Sequence, residues 1–123
     1  MKKPILLYVD DEPDALETMK IGLEGRGYIV LTATGGKEAL EILRVTIPDL
    51  IITDLRMSPM NGFDFFREAK KLPNLADIPV VVLTAVDDGF AQKYGKTLGA
   101  VGYLPKPADL DGVEAAITRL IPR

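Results

Sequence analysis

The sequence predicts a single doubly wound α/β domain, a five-stranded parallel sheet in the order 2-1-3-4-5 with helices on both faces. Three observations predict it. Short, continuously apolar runs recur along the chain, the pattern of strands buried on both faces. Segments of helical spacing separate them, and strand–helix–strand repeats demand right-handed crossovers and so a parallel sheet. The length of 123 residues suits one domain. In this strand order a ligand crevice opens where the chain switches sides, at the C-terminal ends of the first and third strands.

The elements follow in order. Residues 4–9 form the first apolar run. Residues 13–24 read as a helix, with Leu16, Met19 and Leu23 on one face, Pro13 suiting the first turn and Gly25-Arg26-Gly27 stopping it. Residues 28–33 are β-rich, Gly35-Gly36 is a turn, and 37–45 is helical with Ala39, Leu40 and Leu43 aligned. The third strand, 50–53, ends at Asp54; a loop over 57–62 then leads into a helix through Leu72 that carries Phe63, Phe66 and Ala69. Residues 79–83 are the most strand-like run. A weaker helix over 88–98 contains Gly89 and Gly95, each costing about 1 kcal/mol against alanine. Residues 101–104 form the last strand and 109–121 the last helix, ended by Pro122. No linker or repeat interrupts this order, so residues 1–123 read as one domain.

Composition narrows the chemistry. Hydrophobic residues at 47% and charged ones at 27% describe a globular chain, not a disordered one. A net charge of −3 leaves no general basic surface, so no direct nucleic-acid partner is expected. The absence of histidine and cysteine removes Ser-His-Asp and Cys-His catalysis, thiol redox chemistry and nearly every zinc site. Carboxylates, lysine, hydroxyls or a hard metal held by oxygens remain. The apolar run after Lys2 and Lys3 stops at Asp10, too short for a signal peptide. The longest apolar stretch, over 78–86, falls far below the ~20 residues of a membrane helix. A cytoplasmic protein with no membrane partner is the expectation.

Polar residues end successive buried strands on one rim of the predicted sheet. Asp10 and Asp11 end the first strand, Asp54 the third and Thr84 the fourth, while Lys106 follows the fifth. Singly, each has an ordinary explanation. Acids at 10–12 serve a helix N-terminus, worth ~0.3–1 kcal/mol each; Asp54 caps a turn; Thr84 is a β-branched strand residue; Lys106 is an exposed lysine. Together they pose an electrostatic problem. Three carboxylates within ~4–6 Å repel by several kcal/mol at an effective dielectric near 20, which a fold tolerates if a cation is expected. Without histidine or thiolate ligands that cation should be hard, and Mg²⁺ held by carboxylates, a carbonyl and waters fits. Lys106 and Thr84 suit the oxygens of a phosphoryl group in transfer, with a carboxylate as nucleophile. The same electrostatics predicts that, without metal, like charges raise the pKa of at least one acid, and that removing the charge of Asp54 stabilises the fold.

The set Asp10-Asp11, Asp54, Thr84-Ala85 and Tyr103-Leu104-Pro105-Lys106-Pro107 resembles the receiver domain of two-component response regulators, over essentially the whole chain. That resemblance implies a flavodoxin-like fold and a phosphorelay function without enzyme turnover on a separate substrate. It implies Asp54 as phosphoacceptor, and Asp10, Asp11, Asp54 and the Arg56 backbone carbonyl around Mg²⁺. Thr84 and Lys106 would grip the phosphoryl group. Thr84 and Tyr103 would be the switch pair on a face built from the fourth helix, last strand and last helix, and the Lys106–Pro107 bond would be cis. It implies a sensor histidine kinase or histidine phosphotransfer protein as donor, and a downstream protein target or an output domain as recipient. The alternative is a receiver cut from a longer regulator with a DNA-binding or enzymatic output domain. For Tyr103, an edge-strand aromatic half covering apolar surface is an equal reading of the residue itself.

Departures exist. The family loop Met-Pro-x-Met-Asp-Gly is here Met57-Ser58-Pro59-Met60-Asn61-Gly62, with the proline one place later and an amide for the acid. Arg56 and Val86 occupy the family's two lifetime-tuning positions, and neither aligns an attacking water, so slow phosphoryl loss is implied. Two other classes share parts of the pattern. A flavodoxin-like cofactor binder needs a phosphate-cradling turn where Asp10-Asp11-Glu12 stands. A haloacid-dehalogenase-type phosphatase needs Asp-x-Asp after its first strand, and here the acids are adjacent.

Overall fold

A computed structural model of the chain describes residues 2–85 and 102–121. Five strands, β1 (Ile5–Val9), β2 (Ile29–Ala33), β3 (Leu50–Asp54), β4 (Val80–Ala85) and β5 (Gly102–Lys106), form one sheet in the order β2-β1-β3-β4-β5. Every ladder is parallel. The helices among the described residues are α1 (Pro13–Gly25), α2 (Gly36–Leu43), α3 (Gly62–Lys70) and a C-terminal helix (Leu110–Leu120). Val86, the helix predicted over 88–98 with Gly89 and Gly95, Val101, Pro122 and Arg123 lie outside the described residues.

The sheet is the predicted one, and apolar strands explain it. Alternate residues of β1 and β3 supply opposite cores: Leu7, Val9 and Ile51 pack under α2 and α3 with Phe63, Phe65 and Phe66. Leu6, Tyr8, Leu50 and Ile52 pack under α1 and the C-terminal helix with Leu16, Leu23, Val113 and Ile117. Burial on both faces is what turns these strands into continuous apolar runs.

Helix ends are set by local chemistry. After α1, Gly27 takes a left-handed φ of 97°, letting its N–H reach Glu24 O and the Tyr28 N–H reach Leu23 O. α2 and α3 stop two residues before the predicted ends, because the following N–H groups turn to i−3 carbonyls: Val45 to Ile42, Lys71 to Glu68 and Leu72 to Ala69. Beyond α3, the Lys70 ammonium gathers the carbonyls of Leu75, Ala76 and Ile78 at 2.6–3.2 Å.

Two strands run further than the sequence suggests. β4 continues through Thr84 to Ala85, and β5 takes in Pro105 and Lys106, so Lys106 is the last residue of β5 and does not follow it. Pro105 is tolerated because β5 is an edge strand, where a missing N–H breaks no second ladder. The consequence is positional: Lys106 pairs with Ala85 and is carried rigidly to the sheet's C-terminal rim.

Candidate functional site

The rim beside β1, β3, β4 and β5 gathers the predicted polar residues. Asp10 follows the last residue of β1 and is 3% exposed; its Oδ1 accepts the Glu12 N–H at 3.0 Å, which fixes the carboxylate at the mouth of α1. Asp54 closes β3, also 3% exposed. Asp11 is exposed. Carboxylate oxygens of the three acids lie within 4.8 Å of one another. The donor set is all hard oxygen, the kind that suits Mg²⁺ or a similar cation and not a soft metal.

Lys106 reaches this cluster from β5. Its Nζ donates to Asp54 Oδ2 at 2.8 Å and stands 3.9 Å from Asp10 Oδ2. Burial lowers the lysine pKa, but the hydrogen bond to Asp54 and the charges of Asp54, Asp10 and Glu12 outweigh it and leave the pKa above its ordinary value. Asp10 is pushed up from the carboxylate range, chiefly by burial; the Glu12 N–H and Lys106 pull against this, and Asp54 and Asp11 add to it. Like charge therefore contributes, as the sequence suggests, but desolvation is the larger cause. The lysine stands closer to Asp54 than to Asp10, so Asp10 is the acid it compensates less.

Thr84 is 3% exposed on β4, and its Oγ1 has no hydrogen-bond partner among the described residues. Tyr103 pairs with Val82 in the sheet and packs partly buried against the core under α2 and α3. Its hydroxyl is likewise buried without a partner among the described residues, and burial raises its pKa. Arg56 lies on the exposed turn after β3. The Lys106–Pro107 bond is cis.

The divergent loop ends in a capped helix. Asn61 caps α3: its Oδ1 accepts the Asp64 N–H at 2.9 Å while Asp64 Oδ2 accepts the Asn61 N–H at 3.4 Å. An amide oxygen caps as well as a carboxylate. The Ser58–Pro59 bond is cis, which the sequence reading did not anticipate. Two further residues escaped that reading. Gly62 packs its Cα against the exit of β3, and Tyr8 carries the only side-chain polar atom of β1. A phenol inside an otherwise aliphatic strand was the available signal for the second.

Comparison with known proteins places the chain. It belongs to the response regulator receiver domain family, which matches residues 6–118. It is 40% identical over 119 residues to the transcriptional regulatory protein CrdR of Helicobacter pylori, covering 97% of this chain and 55% of CrdR. It is 38% identical over 115 residues to the transcriptional regulatory protein GlrR of Escherichia coli, covering 91% of this chain and 25% of GlrR. The chain thus spans a quarter to about half of the length of these curated relatives. The chemotaxis protein CheY4 of Vibrio cholerae superposes with a TM-score of 0.92 at 29% identity, over 97% of this chain and 99% of that one. Among the described residues, no helix is long and apolar enough to cross a membrane.

Proposed function

We propose that this receiver domain accepts a phosphoryl group on Asp54 in a cytoplasmic phosphorelay, with residues 1–123 acting as one signalling domain. The observation that supports this best is the cluster itself: Lys106 Nζ 2.8 Å from a buried Asp54 carboxylate that shares a 4.8 Å neighbourhood with Asp10 and Asp11. Asp54 Oδ attacks phosphorus, a P–N bond to a donor histidine breaks, and the imidazole leaves with the bond's electron pair. A sensor histidine kinase or histidine phosphotransfer protein is the donor. Asp10, Asp11, Asp54 and the Arg56 carbonyl would hold Mg²⁺, whose charge offsets that building on the phosphoryl oxygens. Lys106 exchanges its bond to Asp54 for a phosphoryl oxygen, and Thr84 gives its unpartnered hydroxyl to another. The module turns over no separate substrate. Arg56 and Val86 tune how long the acyl phosphate lasts.

The test is intact-mass spectrometry after exposure to a small acyl phosphate or phosphoramidate with Mg²⁺. One added phosphoryl group is expected, lost with chelator and lost in Asp54→Asn. Undiminished incorporation in that variant would overturn the proposal.

The signal leaves through Thr84 and Tyr103. Both hydroxyls are buried without partners among the described residues, so drawing Thr84 toward the phosphoryl group changes the packing beside Tyr103. With a beryllofluoride mimic, amide shifts are expected to extend from the acidic pocket through 102–106 and into 88–101. Shifts confined to the pocket would contradict a switch. The recipient is a downstream protein or an output domain. The second reading, a receiver within a longer regulator with a DNA-binding or enzymatic output, is favoured by the partial coverage of GlrR and CrdR. A reading frame that continues past Arg123 would establish it.

A further inference from the structure

Thr53 is fully buried on β3, at 0% exposure. It pairs with Val9 of β1 and Val82 of β4, and both valines belong to the core under α2 and α3. Leu50, Ile51 and Ile52 before it are aliphatic. Packing here asks for a valine, which has the same shape without the hydroxyl, and a buried hydroxyl is costly unless it is bonded. The Thr53 Oγ1 donates to the Asp54 carbonyl oxygen at 3.0 Å. The place of that bond matters. The β1–β3 pairing ends at Val9 and Thr53, one residue before Asp54, so no β1 residue stands opposite the Asp54 peptide. Gly62 closes over the same oxygen from α3, where a Cβ would stand 2.5 Å away.

We propose that Thr53 is a positioning residue for Asp54: its hydroxyl holds the Asp54 peptide where the pairing with β1 runs out, and so sets where the carboxylate points. This rests on Asp54 as the acceptor proposed above. The carboxylate hangs from the same residue as the held carbonyl. A rotation of that peptide swings Oδ1 and Oδ2 relative to Lys106, whose Nζ is 2.8 Å from Oδ2, and relative to the oxygens of Asp10 and Asp11 within 4.8 Å. Attack on phosphorus is sensitive to such a swing, since a misplacement of about 1 Å costs on the order of 10²-fold in rate. The Thr53 side chain lies in the core, on the face of the sheet under α2 and α3, and acts only through Asp54.

The test compares the whole chain with Thr53→Val and Thr53→Ser, under conditions where urea melts show all three fully folded. Intact-mass time courses with acetyl phosphate and saturating Mg²⁺ read the rate of phosphoryl gain. Thr53→Val should slow it several-fold, and Thr53→Ser, which keeps the hydroxyl, should stay near the parent. The hydrogen bond is read separately in the metal-free protein. The Asp54 ¹³C′ resonance, correlated with the Leu55 amide, should move upfield in Thr53→Val and far less in Thr53→Ser. Equal rates in the parent and Thr53→Val, a Thr53→Ser as slow as Thr53→Val, or an Asp54 carbonyl that responds alike to both would each overturn the positioning role and leave Asp54 as acceptor. No phosphoryl gain in the parent would overturn the acceptor reading itself, and this proposal with it.

Discussion

Gly62→Ala is expected to cost about 3 kcal/mol, at the top of the range for an overpacked interior position. A Cβ on Gly62 would stand 2.5 Å from the Asp54 carbonyl oxygen, 3.0 Å from Leu55 Cα and 3.2 Å from the Asp54 carbonyl carbon. All three are backbone atoms, so no side chain can swing aside. The Gly62 N–H also donates to Leu55 O at 2.8 Å, which ties the start of α3 to the exit of β3. To admit a methyl group the helix must lift or the strand end must shift, and either moves Asp54. Gly35→Ala is the control, since nothing lies within 4 Å of its Cβ position. Urea melts should show Gly35→Ala near the parent and Gly62→Ala far below it. A Gly62→Ala variant within about 1 kcal/mol of the parent would mean the loop yields freely.

Asp10→Asn should stabilise the metal-free protein by roughly 1–2 kcal/mol at neutral pH, the scale of a close like-charge contact in a partly buried site. Asn keeps the Oδ1 acceptor for the Glu12 N–H while removing the charge. The pH dependence follows from the raised pKa of Asp10. The folded state binds this proton more tightly than the unfolded chain, so the ionised group costs stability above its folded pKa. The cost fades as pH falls through that value and is gone below the unfolded value near 3.8. The gain from Asp10→Asn should therefore be full at pH 7 and vanish near pH 4. Mg²⁺ should narrow it as well, by binding the parent more tightly. Melts in chelator at both pH values check this. A variant less stable than the parent at pH 7 would show that Lys106, 3.9 Å away, already neutralises Asp10.

The sheet was legible because buried parallel strands are apolar on both faces, and little else in the chain imitates 50–53 or 79–83. Strand ends were less so. Pro105 argues against a strand interior, and only the edge position of β5, a tertiary fact, allows it. The acids, Thr84 and Lys106 were legible as residues sharing one rim. Their division of labour was not, because it depends on a 2.8 Å against a 3.9 Å separation that no spacing encodes. Asn61 shows the converse: a departure in sequence that leaves the local geometry capped. Tyr8 was hidden by its own context, one phenol counted as core among Ile5, Leu6, Leu7 and Val9.

The most direct test of Asp54 as acceptor is to trap the acyl phosphate chemically. Borohydride reduces an acyl phosphate to the alcohol, converting a phosphorylated aspartate to homoserine, and peptide mass spectrometry then reads the position. After treatment with a small phosphodonor and Mg²⁺, homoserine is expected at residue 54 alone, and nowhere when chelator is present. Homoserine at residue 10 or 11, or at 54 in equal yield without divalent metal, would contradict the account.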